Sequence, residues 1–384
     1  MHPRILLALG NFFIAISATL VSYTLLSYLS PFISESSIGL GIAAGAVVAL
    51  ASFFFLPTLV GRYGAQKMVL FLSFVAMVML FAIATLPSTI ASAILVLLVL
   101  SIQPLLYYGL DLLLEATIDN EGTTGRAHTF FLTGGNLGSF VAPLLIGTLL
   151  ANTDNYTYVF FTAGAFMVPL IVLFTERRLP KGVQPRLSHF RETFKHLSHD
   201  RDLTAVTVAH FVLYLFYIWA PLYVPLYLHG TLGFPWATLG WMFSIMLIPY
   251  ILIEYPAGWI ADRLIGDKEL MFAGFLFAGI SLMSIGFLSS TSSITTIVLA
   301  LVGTRAGAAL IESMTEGHFF RRVSERNIVS VSVFRGVWPL ANIIAPILGT
   351  LIFFIDGYRL FFVITGAIVA IAGVGATARI KDFK

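Results

Sequence analysis

Apolar residues in this chain come in long unbroken blocks rather than in short periodic stripes. Twelve blocks run approximately over 5–28, 38–60, 68–86, 90–114, 127–151, 158–174, 203–228, 238–260, 269–288, 295–318, 328–353 and 358–378. A helix of about 20 apolar residues crosses a hydrocarbon layer of roughly 30 Å. Backbone groups in lipid must bond internally, so the blocks predict membrane-spanning helices. The period-2 alternation that a membrane barrel requires is absent from the sequence. The pattern therefore predicts an all-α integral membrane protein. The first block follows only Met-His-Pro-Arg and carries no small-residue cleavage site, which predicts a retained helix rather than a removed signal peptide.

Composition supports this reading. Hydrophobic residues make up 58% of the 384 and charged residues 11%, against about 25% charged in a soluble domain. So few charges cannot clothe a water-facing surface, and the bilayer is the expected partner. The net charge of +3 is better read by location than as a nucleic-acid signal. Arg4, Arg62, Lys67, Arg126, Arg263, Lys268, Arg321, Arg322, Arg326, Arg379, Lys381 and Lys384 fall at alternate block junctions, with the central segment. The opposite junctions contain one basic residue, Arg359. The positive-inside rule makes the first set cytoplasmic. Both termini are then inside a cell membrane, which demands an even number of spans, as twelve provides. Residues 175–202 form the one long polar stretch and predict a basic cytoplasmic linker between halves at 1–174 and 203–384. Within it, 188–198 fits either a surface amphipathic helix, with Leu187, Phe190, Phe194 and Leu197 on one face, or a solvated tether.

The halves repeat one another in order. Val60-Gly61-Arg62-Tyr63 aligns with Ala261-Asp262-Arg263-Leu264, and Asp111 and Glu115 align with Glu312 and Glu316. The Ala-Pro pairs ending at Pro143 and Pro346 align, then Gly147-Thr148 with Gly349-Thr350, and Val159-Phe160-Phe161 with Leu360-Phe361-Phe362. Parallel repeats of this kind place a cavity at their interface, near the bilayer midplane. In Gly258-Trp-Ile-Ala-Asp262-Arg263, with Gly266 following, and in Gly61-Arg62-Tyr-Gly64-Ala-Gln-Lys67, the chain resembles the major facilitator superfamily across essentially its whole length. That resemblance implies two pseudo-symmetric six-helix bundles. The first copy of the loop pattern lacks its leading glycine and aspartate; the second has its next glycine one residue late. Gly138-Ser-Phe-Val-Ala142-Pro143-Leu-Leu-Ile-Gly147 is similar to a pattern of drug-antiporter members, and equally fits small-residue packing around a proline bend.

Charges inside a membrane cost at least about 2.5–3.5 kcal/mol and are functional candidates by default. Asp111 and Glu115 lie in the fourth block, Glu254 in the eighth, Arg305, Glu312 and Glu316 in the tenth, and Arg335 in the eleventh. Glu254, Asp111 and Glu312 are the proton-coupling candidates. Glu312 and Arg335 sit at similar depth and are placed to neutralise each other, and His210 joins their layer. Arg305, near the middle of its block, predicts either a structural ion pair or an anion-binding role, because arginine stays charged. Substrate-lining candidates are Arg305, Gln103, Tyr107, Asn136, Tyr217, Trp219 and Asn342, since ligand cavities combine apolar walls with a few polar groups. The family resemblance implies a cytoplasmic latch that forms and breaks. Carried over, Glu115 meets a basic group near Arg62 or Arg126, and Glu316 one near Arg263 or Arg322, with Asp262 in the second copy of the pattern.

These readings converge on a secondary active transporter. It moves a small organic solute by alternating access, with protons as the expected coupling ion and export of amphipathic compounds as the leading substrate class. The runner-up is uptake of an organic anion clamped by Arg305. A first block without an acid disfavours a cation exporter. The rival classes are a non-transporting sensor of the same fold and a membrane lipid-handling protein. The sequence shows no HExxH, no clustered metal ligands and no phosphate loop leading into a helix, so enzymatic or ATP-driven chemistry, cofactors and metals are not expected. There is no cysteine, and a monomer is expected.

Overall fold

The computed structural model describes residues 2–86, 90–117, 124–177, 179, 200–323 and 328–381. Among the described residues every element is a helix: α1 (Pro3–Leu29), α2 (Glu35–Tyr63), α3 (Ala65–Thr85), α4 (Ile90–Glu115), α5 (Thr124–Leu150), α6 (Thr157–Ala165), α7 (Met167–Glu176), α8 (Arg201–Pro225), α9 (Trp236–Ile245), α10 (Ile248–Arg263), α11 (Asp267–Ile285), α12 (Ile294–Arg322) and α13 (Ile328–Thr377). Among the described residues, eleven helical stretches are long and apolar enough to cross a membrane. The second block is helical throughout as α2, with a shorter described apolar stretch at Gly39–Ser52. The candidate surface helix at 188–198 lies outside the described residues.

Several predicted blocks are interrupted in ways that hydropathy does not register. The sixth span breaks at Phe166 between α6 and α7, and the eighth breaks at Met246 and Leu247 between α9 and α10. After Pro225 the helix widens into a π turn, Leu226–Thr231; prolines at 221 and 225 lack the N–H that would keep the normal register. The last two spans, Gly336–Ile355 and Gly357–Thr377, share α13. Gly357 separates them at φ 55°, a left-handed conformation that a right-handed helix cannot carry through.

The two copies of the loop pattern turn on equivalent glycines. Gly64 joins α2 to α3 at φ 86°, ψ 151°, and Gly266 starts α11 at φ 95°, ψ 166°. That region is essentially confined to glycine. The extra residue before Gly266 lengthens the turn, yet the glycine adopts the same backbone conformation in both copies.

The chain divides into two compact units, Met1–Arg186 with Phe234–Ser244, and Leu187–Gly233 with Ile245–Lys384. Within the first, α1 packs on α5, α3 on α4, α2 on α4, and α3 on α6 and α7. Within the second, α8 packs on α13, α11 on α12, α10 on α12, and α11 on α13. The same packing scheme thus recurs, as the ordered sequence repeat predicts. The Gly138–Gly147 stretch serves close packing. A Cβ on Gly138 would lie 2.5 Å from the Phe12 carbonyl oxygen of α1, and one on Gly147 3.1 Å from Gly240 Cα of α9.

Candidate functional site

The second unit concentrates its polar side chains between α8 and α12. Along α8, His210, Tyr214 and Tyr217 are spaced four and three residues apart, which puts them on one helix face. On α12, Glu312 and Thr315 are three apart and likewise neighbours. The two faces meet in hydrogen bonds. Tyr217 donates its hydroxyl to Glu312 Oε2 at 2.5 Å, and His210 Nδ1 lies 3.1 Å from Thr315 Oγ1. The Thr315 hydroxyl also donates to the Glu312 carbonyl. Aromatic rings wall this seam. His210 stacks on Phe334 at 4.2 Å between centroids, Phe334 on Phe319 at 4.0 Å, and Tyr250 of α10 lies 6.3 Å from Tyr217. His210 is buried and Glu312 half-buried, and the carboxyl and the phenol share one hydrogen bond between two membrane helices.

Two turns away along α12, Arg305 is 3% exposed. Its guanidinium carbon sits 5.0 Å above the ring of Phe216, a cation–π arrangement that stabilises a buried arginine. Trp219 is fully buried and donates its indole N–H to the Ala345 carbonyl at 2.7 Å. That geometry ties α8 to α13. Trp219→Phe removes the donor and some volume, and is expected to lower stability by about 1–3 kcal/mol, measured by thermal unfolding of the purified protein. Asn342 is half-buried and donates to the Trp338 carbonyl one turn earlier in α13.

The other candidates are distributed as follows. In the first unit Gln103 is half-buried beside Pro104 in α4, and Tyr107 packs against the buried apolar cluster of that unit. Asn136 on α5 is exposed, as are Asp111 and Glu115 on α4. Arg62 lies 5.3 Å over Tyr63 and Arg263 5.2 Å over Trp259, each on its own helix. Glu316 is half-buried. Arg322 places Nε 3.0 Å from Asp202 Oδ2, an acid the sequence reading did not single out. The side chains of Glu254, Arg126, Asp262 and Arg335 lie outside the described residues. So the structure brings Tyr217 and Glu312 together, with Arg305 farther along the same helix.

Sequence reasoning missed a second cluster at the Arg322 end of α12. His318 is 1% exposed and lies between two carboxylates, with Nε2 3.1 Å from Asp202 Oδ2 and Nδ1 3.2 Å from Asp267 Oδ2. Arg321 also pairs with Asp267, and the Lys381 N–H donates to Asp202 Oδ1 at 2.6 Å. It also missed Gln66, whose side chain bonds the Phe174 and Arg177 carbonyls and accepts from the Leu179 N–H, fastening α3 to the end of α7.

Against known proteins, the sequence profile of the Major Facilitator Superfamily matches residues 7–239 and 224–382. The chain belongs to that superfamily. Superfamily membership makes it a multi-pass integral membrane protein and a transporter of small molecules. The structure is similar to that of the nucleoside transporter NupG, with a TM-score of 0.76 at 14% identity over 99% of this chain and 99% of that one. It is similar to a D-xylose–proton symporter, with a TM-score of 0.74 at 15% identity over 99% and 98%. It is also similar to a bacterial homologue of the human lysosomal transporter Spinster in an inward-facing, unoccupied conformation, with a TM-score of 0.77 at 13% identity over 98% and 97%. No match was found among curated protein sequences. At these identities the structural likenesses establish the fold alone.

Proposed function

We propose that this superfamily member is a secondary active transporter that moves a small organic solute by alternating access and couples it to protons through Glu312. The observation that carries this reading is the Tyr217–Glu312 hydrogen bond within the α8–α12 seam. A carboxyl group at that depth is costly as a charge. A phenol donor stabilises the carboxylate when the proton is absent, so the pair holds either state and suits proton exchange. Asp111 and Glu254 remain secondary candidates. The halves at 1–174 and 203–384, the linker between them, inside termini in the cell membrane and a monomeric state complete the proposal.

Amphipathic organic compounds are the favoured substrates, leaving by export, because the seam is lined by Tyr214, Tyr217, Tyr250 and Phe334. The organic-anion reading draws less support, since Arg305 is 3% exposed and already lies over the Phe216 ring. In proteoliposomes screened with amphipathic cations, neutral drugs and organic anions, Glu312→Gln is expected to abolish accumulation driven by a pH gradient. Solute exchange without a gradient is expected to persist. Undiminished gradient-driven accumulation in the variant refutes the coupling role.

A further inference from the structure

The His318 cluster has no part in the coupling reaction just proposed, yet its stereochemistry is that of a proton-binding site. Three elements of the second unit converge on it. Asp202 stands in the first turn of α8, Asp267 opens α11, and His318 lies near the end of α12. An imidazole has two ring nitrogens, and only the protonated ring donates from both. Here both nitrogens face carboxylate oxygens, at 3.1 and 3.2 Å. The protonated ring completes two charge-assisted hydrogen bonds. The neutral ring completes one and turns a nitrogen lone pair towards the other carboxylate.

Among the described residues, charged groups reach this site from several elements. Asp202 comes from α8 and Asp267 from α11. Arg321 and Arg322, from the histidine's own helix, pair with Asp267 and Asp202 respectively. The segment after α13 contributes the Lys381 N–H to Asp202. From α10, Arg263 is turned onto Trp259. A proton on His318 adds one positive charge and a second hydrogen bond to this cluster. Ala205, Met271, Phe319 and Ile380, each within four residues of Asp202, Asp267, His318 or Lys381, belong to one buried apolar cluster, so loosening the tie is expected to open it.

We propose that His318 is a second proton-binding site of this protein, separate from Glu312, whose occupancy sets how firmly the end of α12 is tied to α8 and α11. The tie is closed while the ring donates from both nitrogens and loosens when it holds one proton only.

The cysteine-free sequence makes the test direct. Ala205 is 4% exposed in this cluster, and Ala205→Cys places a single thiol there in the full-length protein. Its rate of maleimide labelling, corrected for thiolate fraction with Ala163→Cys in the first unit, is expected to rise about tenfold from pH 5 to pH 8, the ratio expected for one charge-assisted hydrogen bond. Adding His318→Gln is expected to remove that dependence. Adding Asp267→Asn is expected to shrink it, because an amide satisfies either state of the ring. A flat profile in the His318 background, or a full-sized one in either variant that folds, overturns the proposal. Labelling needs no transported solute, so this outcome is independent of the Glu312 test.

Discussion

Gly134→Ala is expected to prevent the first unit from assembling. Gly134 lies on α5 where that helix crosses α1, and a Cβ built there lies 2.1 Å from the Ala8 carbonyl oxygen and 2.9 Å from its carbon. These are backbone atoms and cannot rotate away. The same crossing places the Phe12 carbonyl 2.5 Å from a Cβ on Gly138 and the Asn11 amide 2.7 Å from one on Gly135. A methyl group at 134 therefore has to push the two helices apart. That movement stretches the bond from Asn11 Nδ2 to the Phe131 carbonyl, now 2.9 Å and buried. Overpacking by one methyl costs about 1–3 kcal/mol where side chains can adjust, and a backbone obstacle puts this site at or above that range. Gly61→Ala is the matched control. It lies in α2 with nothing within 4 Å of the new Cβ, and a helical Gly→Ala change with room gains roughly 0.5–1 kcal/mol. Yield of monodisperse protein in gel filtration separates the two. Equal yields from both variants would show that α1 and α5 can move apart freely.

The membrane architecture was legible because lipid leaves a chain so few options. Long apolar blocks and five ordered repeat matches each depend on residue type at a position, and the packing scheme of the two units repeats as the matches require. Gly64 and Gly266 show the same logic locally, since both occupy a backbone conformation closed to other residues. The breaks at Phe166 and at Met246–Leu247 were illegible because a shifted backbone hydrogen bond leaves hydropathy untouched. The candidate site was legible in part. Tyr217 and Glu312 both stand out in the sequence, but nothing there says that residues 95 apart share a hydrogen bond. Depth alone matches Glu312 with Arg335 instead. The His318 cluster was hidden for a different reason. Asp202 and Asp267 stand at helix starts beside polar segments, where acids normally face water and favour the helix dipole. His318, two residues after Glu316 and three before Arg321, reads most simply as one more polar residue at a helix end. Only three-dimensional convergence of α8, α11 and α12 distinguishes a buried network from three unrelated surface groups.

That network underlies the second large effect. Asp202→Ala is expected to destabilise the second unit far more than loss of the neighbouring cap, Asp200→Ala. Asp200 does one job: its Oδ1 accepts the Asp202 and Leu203 N–H groups at 2.9 and 3.2 Å, and removing such a cap costs about 0.5–2 kcal/mol. Asp202 is fully enclosed and holds three partners from two other elements, His318, Arg322 and the Lys381 N–H. Deleting one member of a buried charged set costs about 3–5 kcal/mol, because the remaining charges lose their counterpart where water cannot replace it. Arg322 is partly exposed and can recover some hydration, whereas His318 cannot. The penalty should therefore be carried mainly by the histidine. A double-mutant cycle decides this: once His318→Ala is present, Asp202→Ala should cost markedly less than it does alone, while Asp200→Ala should cost the same in both backgrounds. Thermal unfolding in one detergent supplies all the values. Strict additivity of Asp202 and His318 would mean that their close approach contributes nothing, and that Asp202 acts through Arg322 and the Lys381 N–H alone.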